Sequence, residues 1–274
     1  MTRGRLLGWF RAPFAALLDH RSLTWELTKR DVLGRYRGAS FGLLWSLISP
    51  FLMLMIYTFA FGTVMGSKWP AVQQGSASFS IILFSGLIVH GFFSECLTKA
   101  PYLIVGTPNF VKRVVFPLEI LPWPLLLSAG FHALANLLVF ALLQWAMDGS
   151  VPATAVLFPL VLLPLFVACL ALVWLLSALG VYLRDISQIT PMLSLAMLFL
   201  STAMLPASAV PEGYRALFEL NPLSFIMDQA RAVMVWGEWP DWRGLAIYFG
   251  VSLLLCVGAR GLFSRLRRGF ADVL

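Results

Sequence analysis

Between Val151 and Leu183 the chain carries no Asp, Glu, Lys or Arg. A run that long and that apolar is suited to a lipid bilayer, whose hydrocarbon core takes about 20 apolar residues to cross. Five similar runs lie at roughly 41–65, 79–97, 118–147, 186–206 and 244–262. In lipid the backbone has no water to bond, so each run is predicted to be a helix that satisfies its own N–H and C=O groups. The third and fourth runs (118–147 and 151–183) are long enough to tilt or to extend past the hydrocarbon. Composition agrees: 12% of the 274 residues are charged, about half the share of a soluble domain. That is too few to coat a globule of this size, which excludes a soluble enzyme, a disordered chain and a fibrous repeat. The predicted fold class is an all-α polytopic membrane protein with six transmembrane helices, built as a 1–40 cytosolic segment followed by a 41–274 membrane domain. The first residues do not read as a signal peptide, because Arg11 and Pro13 break the Leu6–Leu18 stretch.

The net charge of +7 is read by position rather than as a nucleic-acid signal. With the N-terminus inside, sixteen of the 20 Lys and Arg residues fall in 1–40, in 98–117, at Arg184, or from Arg260 to the end. Only Lys68, Arg215, Arg231 and Arg243 fall outside. This asymmetry follows the positive-inside rule and places both termini in the cytoplasm, with membrane lipids as the surrounding partner.

Three segments outside the spans carry further information. From Leu23 to Tyr36, Trp25, Val32 and Tyr36 share one helical face, whereas Arg30, Asp31, Arg35 and Arg37 lie off it. An amphipathic helix lying in the headgroup plane is expected there, with Lys29 on the apolar side able to snorkel. In the loop after the second span, Thr107, Pro108 and Asn109 signal a helix start and Pro117 a stop. The result is a short basic helix at about 107–115 that reads as a solvated connector or as a docking element. Its apolar residues Phe110, Val111 and Val114 favour docking. In 207–243, two short helices at about 212–219 and 223–235 should meet at Asn221-Pro222, where Pro suits a first helical turn. Neither can cross a membrane, so a re-entrant or surface-lying hairpin capping the bundle is predicted.

Reactive motifs are sparse. Gly38-Ala-Ser40-Phe-Gly42 matches a G-x-S-x-G pattern, but that motif requires a strand before the serine and a helix after it. Glycines 34, 38 and 42 more simply allow close backbone packing at a bend. His90 and His132 lie inside spans with no ligand partner at metal spacing, and are expected to hydrogen-bond between helices. Glu95 and Glu119 sit near span ends, too few for an intramembrane proton relay. There is no phosphate-loop sequence, so any ATP is held by another polypeptide. The three cysteines are far apart and odd in number, which argues against a zinc site or disulfides. Arg184-Asp185 reads as a structural ion pair or helix-end anchor. Among the many aromatics, Tyr57, Phe61 and Phe199 are candidates to line a sugar-conducting path.

The run Leu27 to Pro50, the Asn109-Phe-Val-Lys-Arg-Val-Val-Phe-Pro117 loop, the Tyr182-Leu-Arg-Asp-Ile-Ser-Gln turn, Leu220-Asn-Pro-Leu and the terminal Phe270-Ala-Asp-Val-Leu together resemble permease subunits of type-2 ABC exporters for polysaccharides. The likeness covers nearly the whole chain, in order, and is closest to the O-antigen exporters, with capsule and teichoic acid exporters as relatives.

The resemblance implies a homodimer around a central channel lined by the first and fifth spans. It also implies two copies of a cytosolic ABC ATP-binding subunit, which hold ATP and Mg; this chain itself carries no cofactor. Residues 23–37 become the interface helix. Pro108, Asn109, Phe110, Lys112 and Arg113 belong to the coupling helix, and Asn221 and Pro222 to the outer gate of 207–235. Lys29, Arg30, Arg35 and Arg37 would meet the phosphates of an undecaprenyl-pyrophosphate-linked polysaccharide, in line with two-pronged Arg–phosphate recognition. The same residues also read as membrane anchors. The expected function is ATP-driven export of a lipid-linked, O-antigen-like polysaccharide across a bacterial inner membrane. The alternatives are a drug or small-lipid exporter of the same superfamily, an ion-coupled carrier, and a membrane hydrolase using Ser40.

Overall fold

The computed structural model describes residues 14–60, 79–111 and 116–274, and the described residues are mostly helical, with no strand among them. Helix α1 (Arg21–Arg35) turns at Gly38 and Gly42, whose φ values of 86° and 49° suit residues without a Cβ. A Cβ on Gly34, Gly38 or Gly42 would meet nothing within 4 Å. The latter two glycines therefore serve the turn, and the close packing expected of them does not occur within this chain. Helix α2 (Trp45–Tyr57) follows.

Helix α3 (Phe79–Lys99) is the centre of the bundle, with Ile82, Ile88, Val89 and Phe92 almost wholly enclosed. The short α4 (Tyr102–Val105) and α5 (Pro108–Val111) lead to α6 (Pro122–Asp148). Pro122 opens α6 in the first turn, where its missing N–H costs nothing. Gly149, at φ 74°, closes it in the left-handed conformation.

Helix α7 (Phe158–Tyr182) has almost no polar face and is enclosed along much of its length, including Trp174. Its main neighbour is α11 (Trp242–Leu266). Between them in sequence lie α8 (Ile186–Phe199), α9 (Glu212–Leu220) and α10 (Pro222–Arg231), with α12 (Phe270–Val273) closing the chain.

Among the described residues, five helical stretches are long and apolar enough to cross a membrane: Gly42–Ala60, Phe79–Lys99, Leu118–Met147, Ala153–Tyr182 and Trp242–Val273. The sixth predicted span, 186–206, is helical only over the 14 residues of α8, because the chain turns from Leu200 before reaching Pro206. At about 1.5 Å per residue, that helix falls short of the hydrocarbon thickness.

Lys99, Tyr182 and Leu266 close their helices at one end of the bundle, where α6 and α8 begin. We call this the basic end, since Lys99, Arg184, Arg260, Arg265 and Arg267 gather there. The hairpin of α9 and α10 covers the opposite end. The predicted helices at 212–219 and 223–235, meeting at Asn221-Pro222, match it closely.

Packing is tightest where α7 passes the corner after α3. A Cβ on Gly180 would lie 2.5 Å from the Pro101 carbonyl oxygen. Gly180→Ala is expected to destabilise the protein by about 1–3 kcal/mol, since overpacked backbone has no side chain to yield. Gly250→Ala faces open space and should instead be neutral or stabilising by up to about 1 kcal/mol. Thermal unfolding of the two variants in detergent checks the contrast.

A charged hub and a polar cavity as the candidate functional site

The last turn of α3 carries Glu95, whose side chain is 11% exposed. Such a carboxylate needs donors to stay charged in a dry setting. Lys99, one turn further on, bonds Oε1 at 2.7 Å. Arg35, at the end of α1, reaches the same oxygen through Nη1 at 3.0 Å. His132 of α6 places Nδ1 2.9 Å from Oε2, so that nitrogen carries the donated proton. Asp31 sits 3.6 Å from the Lys99 ammonium. Tyr36 packs edge-on against His132 at 6.0 Å, and burial pushes its phenol above the usual range. The cluster ties α1, α3 and α6 together.

From this hub a cavity of about 630 Å³ runs between α2, α3, α6 and α8. Ser49, Tyr57, His90, Ser94 and Asn136 line it beyond the charges. His90 Nε2 lies 3.0 Å from the Ser194 carbonyl, and the Ser194 hydroxyl donates to Ser94 at 2.8 Å. Both membrane histidines thus bond between helices, as expected. Among the described residues no group of His, Cys, Asp or Glu is arranged to hold a metal ion.

The four basic candidates separate. Arg35 joins the hub. Lys29 pairs with Glu26 at 2.9 Å and lies 5.7 Å over the Trp25 ring. Arg30 lies 5.9 Å over the Phe110 ring, which joins α1 to α5. Arg37 is exposed at the turn. The face of α1 turned to the bundle is Thr24, Leu27, Thr28 and Val32, while Trp25 stands 58% exposed. The expected Trp25–Val32–Tyr36 face is therefore corrected: the helix packs on α6 through Leu27 and Val32.

In α5, Pro108 is half-buried, Asn109 is exposed, and Phe110 stacks on Phe116 at 4.2 Å. Lys112 and Arg113 lie outside the described residues, as does Phe61. Tyr57 borders the cavity, and Phe199 is exposed at the end of α8. Arg184 and Asp185 are both exposed, and no ion pair joins them. Consecutive residues entering a helix point in different directions, so the expected pair does not form. Ser40 sits exposed on the turn after a helix, without the strand its motif requires.

At the opposite end, Asn221 is buried and caps α10 by accepting from the Leu223 N–H at 2.9 Å. Its amide also donates to the Met197 and Leu200 carbonyls at 3.0 Å. Pro222 follows, exposed, in the first turn.

Sequence reasoning missed three sets of residues, the first being the hub of Glu95 with Lys99, Arg35 and His132. Glu119 bonds Arg260 at 3.1 Å and Arg267 at 2.9 Å, fastening α11 to the start of α6. Arg231, taken only as an outer-loop charge, is 3% exposed and donates to the Ile82 and Ala203 carbonyls and to Asp228. Burial pulls its guanidinium down to about 10. The only sequence signals were the i,i+4 spacing of Glu95 and Lys99 and the i,i+3 spacing of Asp228 and Arg231.

Apolar helices long enough to span a bilayer, with a charged hub at one end and a capped hairpin at the other, define a multi-pass membrane protein. Residues 22–235 match the ABC-2 type transporter family, and the chain belongs to it. Relatives include the O-antigen export system permease protein RfbA of Myxococcus xanthus, 28% identical over 258 residues, which cover 93% of this chain and 96% of that protein. A Klebsiella pneumoniae protein of the same name is 24% identical over 251 residues, covering 90% and 93%.

Arg231→Met should free the hairpin, because it removes the guanidinium that bonds the Ala203 carbonyl and pairs with Asp228. Loss of a buried charge network costs about 3–5 kcal/mol, and hydrogen exchange should accelerate in α10 before it does in α7. Unchanged protection of α10 would show that the hairpin does not depend on this side chain.

Proposed function

We propose that this chain is the membrane subunit of an ATP-driven exporter. It moves a lipid-linked, O-antigen-like polysaccharide from cytoplasm to periplasm across a bacterial inner membrane, with both termini cytoplasmic. The observation that carries the reading is the likeness, along nearly the full length of both chains, to proteins named as O-antigen export permeases. The biased distribution of Lys and Arg supports the orientation.

Two copies form the path, and two copies of a cytosolic ABC subunit bind ATP and Mg beneath them. The outward apolar side chains of α2 and α8, such as Ile56 and Leu195, support a role for these helices at the pair interface. Both helices also border the polar cavity, through Tyr57 and Leu198.

Coupling runs through α5, with Asn109 turned outward toward the motor and Phe110 turned inward. Through the Arg30–Phe110 contact a displacement of α5 pushes on α1. Through the packing of Leu27 and Val32 on α6 the push reaches the bundle. Arg35, the one of the four basic candidates that lines the cavity, meets the substrate's phosphates, and Lys29, Arg30 and Arg37 add positive charge around the entry.

Reconstitution in proteoliposomes tests the proposal. Export of a polyprenyl-diphosphate glycan should require both the partner subunit and ATP, and export without either would overturn it. Phe110→Ala should leave ATP hydrolysis intact while slowing export about tenfold, within the range by which coupled sites communicate. Equal export by Phe110→Ala and the parent protein would remove α5 from the coupling route.

A further inference from the structure

Arg35 is half exposed, and its hydrogen bond to Glu95 runs through Nη1 alone; with the His132 proton on Nδ1, the 3.2 Å approach of Nη1 to that nitrogen brings two donors together and adds no bond. A guanidinium has five donors in a planar fork and is best matched by two acceptors side by side. Its contact with Glu95 is end-on, on an oxygen that Lys99 already holds more closely, at 2.7 against 3.0 Å. Glu95 keeps both carboxylate oxygens bonded without Arg35: Lys99 serves Oε1 and His132 serves Oε2. The Arg35–Glu95 bond can therefore open without stranding the less exposed partner. Arg35 also forms part of the wall of the 630 Å³ cavity, which has room for a phosphate group and offers it the hydroxyls of Ser49 and Ser94 nearby.

We propose that Glu95 is a resident counter-ion: its carboxylate occupies the place beside Arg35 that a phosphate ester takes during transport. The inference rests on the functional reading above and adds a selectivity rule to it. A neutral lipid cannot displace a carboxylate from a guanidinium. A phosphodiester headgroup with one negative charge gains little by the exchange. A diphosphate, more highly charged and able to bind in two-pronged fashion, gains most. Glu95 thus sets a threshold that favours diphosphate-linked substrates over the bulk phospholipids around the protein. On exchange, Arg35 turns to the ligand, and Glu95 stays with Lys99 and His132.

Equilibrium binding to the purified full-length protein in nanodiscs tests this with three probes: undecaprenyl diphosphate, undecaprenol and inorganic pyrophosphate. The parent protein should bind the diphosphate lipid in preference to the alcohol, and Arg35→Gln should abolish that preference. Glu95→Gln, which removes the competing charge, should tighten diphosphate binding about fivefold, the scale of one partly exposed ion pair. Glu95→Asp keeps the charge but withdraws it by one methylene, and should tighten binding less.

A structural role for Glu95 predicts the opposite sign: weaker binding in both variants, with a lower melting temperature. Unchanged or weakened binding in both variants overturns the proposal. Failure of the functional reading looks different, because the parent protein would then not separate diphosphate from alcohol and Arg35→Gln would change nothing. Tightening for inorganic pyrophosphate alone would overturn the assignment to a lipid-borne phosphate.

Discussion

Glu95 cannot remain a carboxylate at the end of a membrane helix unless it is paired, and its partners fix the geometry around it. Lys99 comes from its own helix, Arg35 from the helix preceding the first span, and His132 from α6. A hub of this kind is costly to form and more costly to break on one side. It holds α1 against the bundle at a defined place, so this helix is attached to the membrane domain rather than floating beside it. The second carboxylate pair, Glu119 with Arg260 and Arg267, does the same for α11 at the same end.

The rest of the fold follows from solvent. Lipid removes the hydrophobic drive between helices, so association depends on close backbone approach and on polar groups that find partners. Both devices are present. Gly180 allows α7 to touch the Pro101 backbone, and the His90–Ser194–Ser94 set joins α3 to α8. The polar residues that serve packing also leave a hydrophilic cavity beside the hub. For the proposed export role such a setting is needed, because sugars and phosphates would have to pass where acyl chains otherwise pack.

The helical class, the apolar runs that became the five long helices and the two-helix hairpin were legible from apolar runs and from proline placement. Asn221-Pro222 was readable because its cap is local: the Asn side chain meets the N–H two residues on. The orientation of α1 was not readable. Helical periodicity groups Trp25 with Val32, but it cannot say whether a face meets protein or lipid, and Trp25 proves to be exposed. Arg35 and Glu95 are sixty residues apart, and nothing in a single sequence announces such a contact. Arg231 was hidden for the same reason: its carbonyl partners have no side-chain signature. The shortness of α8 escaped because Leu200 to Leu205 is nearly as apolar as the helix before it, and apolarity alone does not mark a turn.

In the proposed function, the charged, jointed end receives force and an anionic headgroup, and the apolar flanks of α2 and α8 meet a second copy of the chain. On that proposal the working unit is a pair of these chains with a separate motor. Native mass spectrometry of the transport-active complex released from lipid nanodiscs tests that most directly. Two copies of this chain with two ATP-binding subunits are expected. An active assembly containing a single copy of this chain would contradict it.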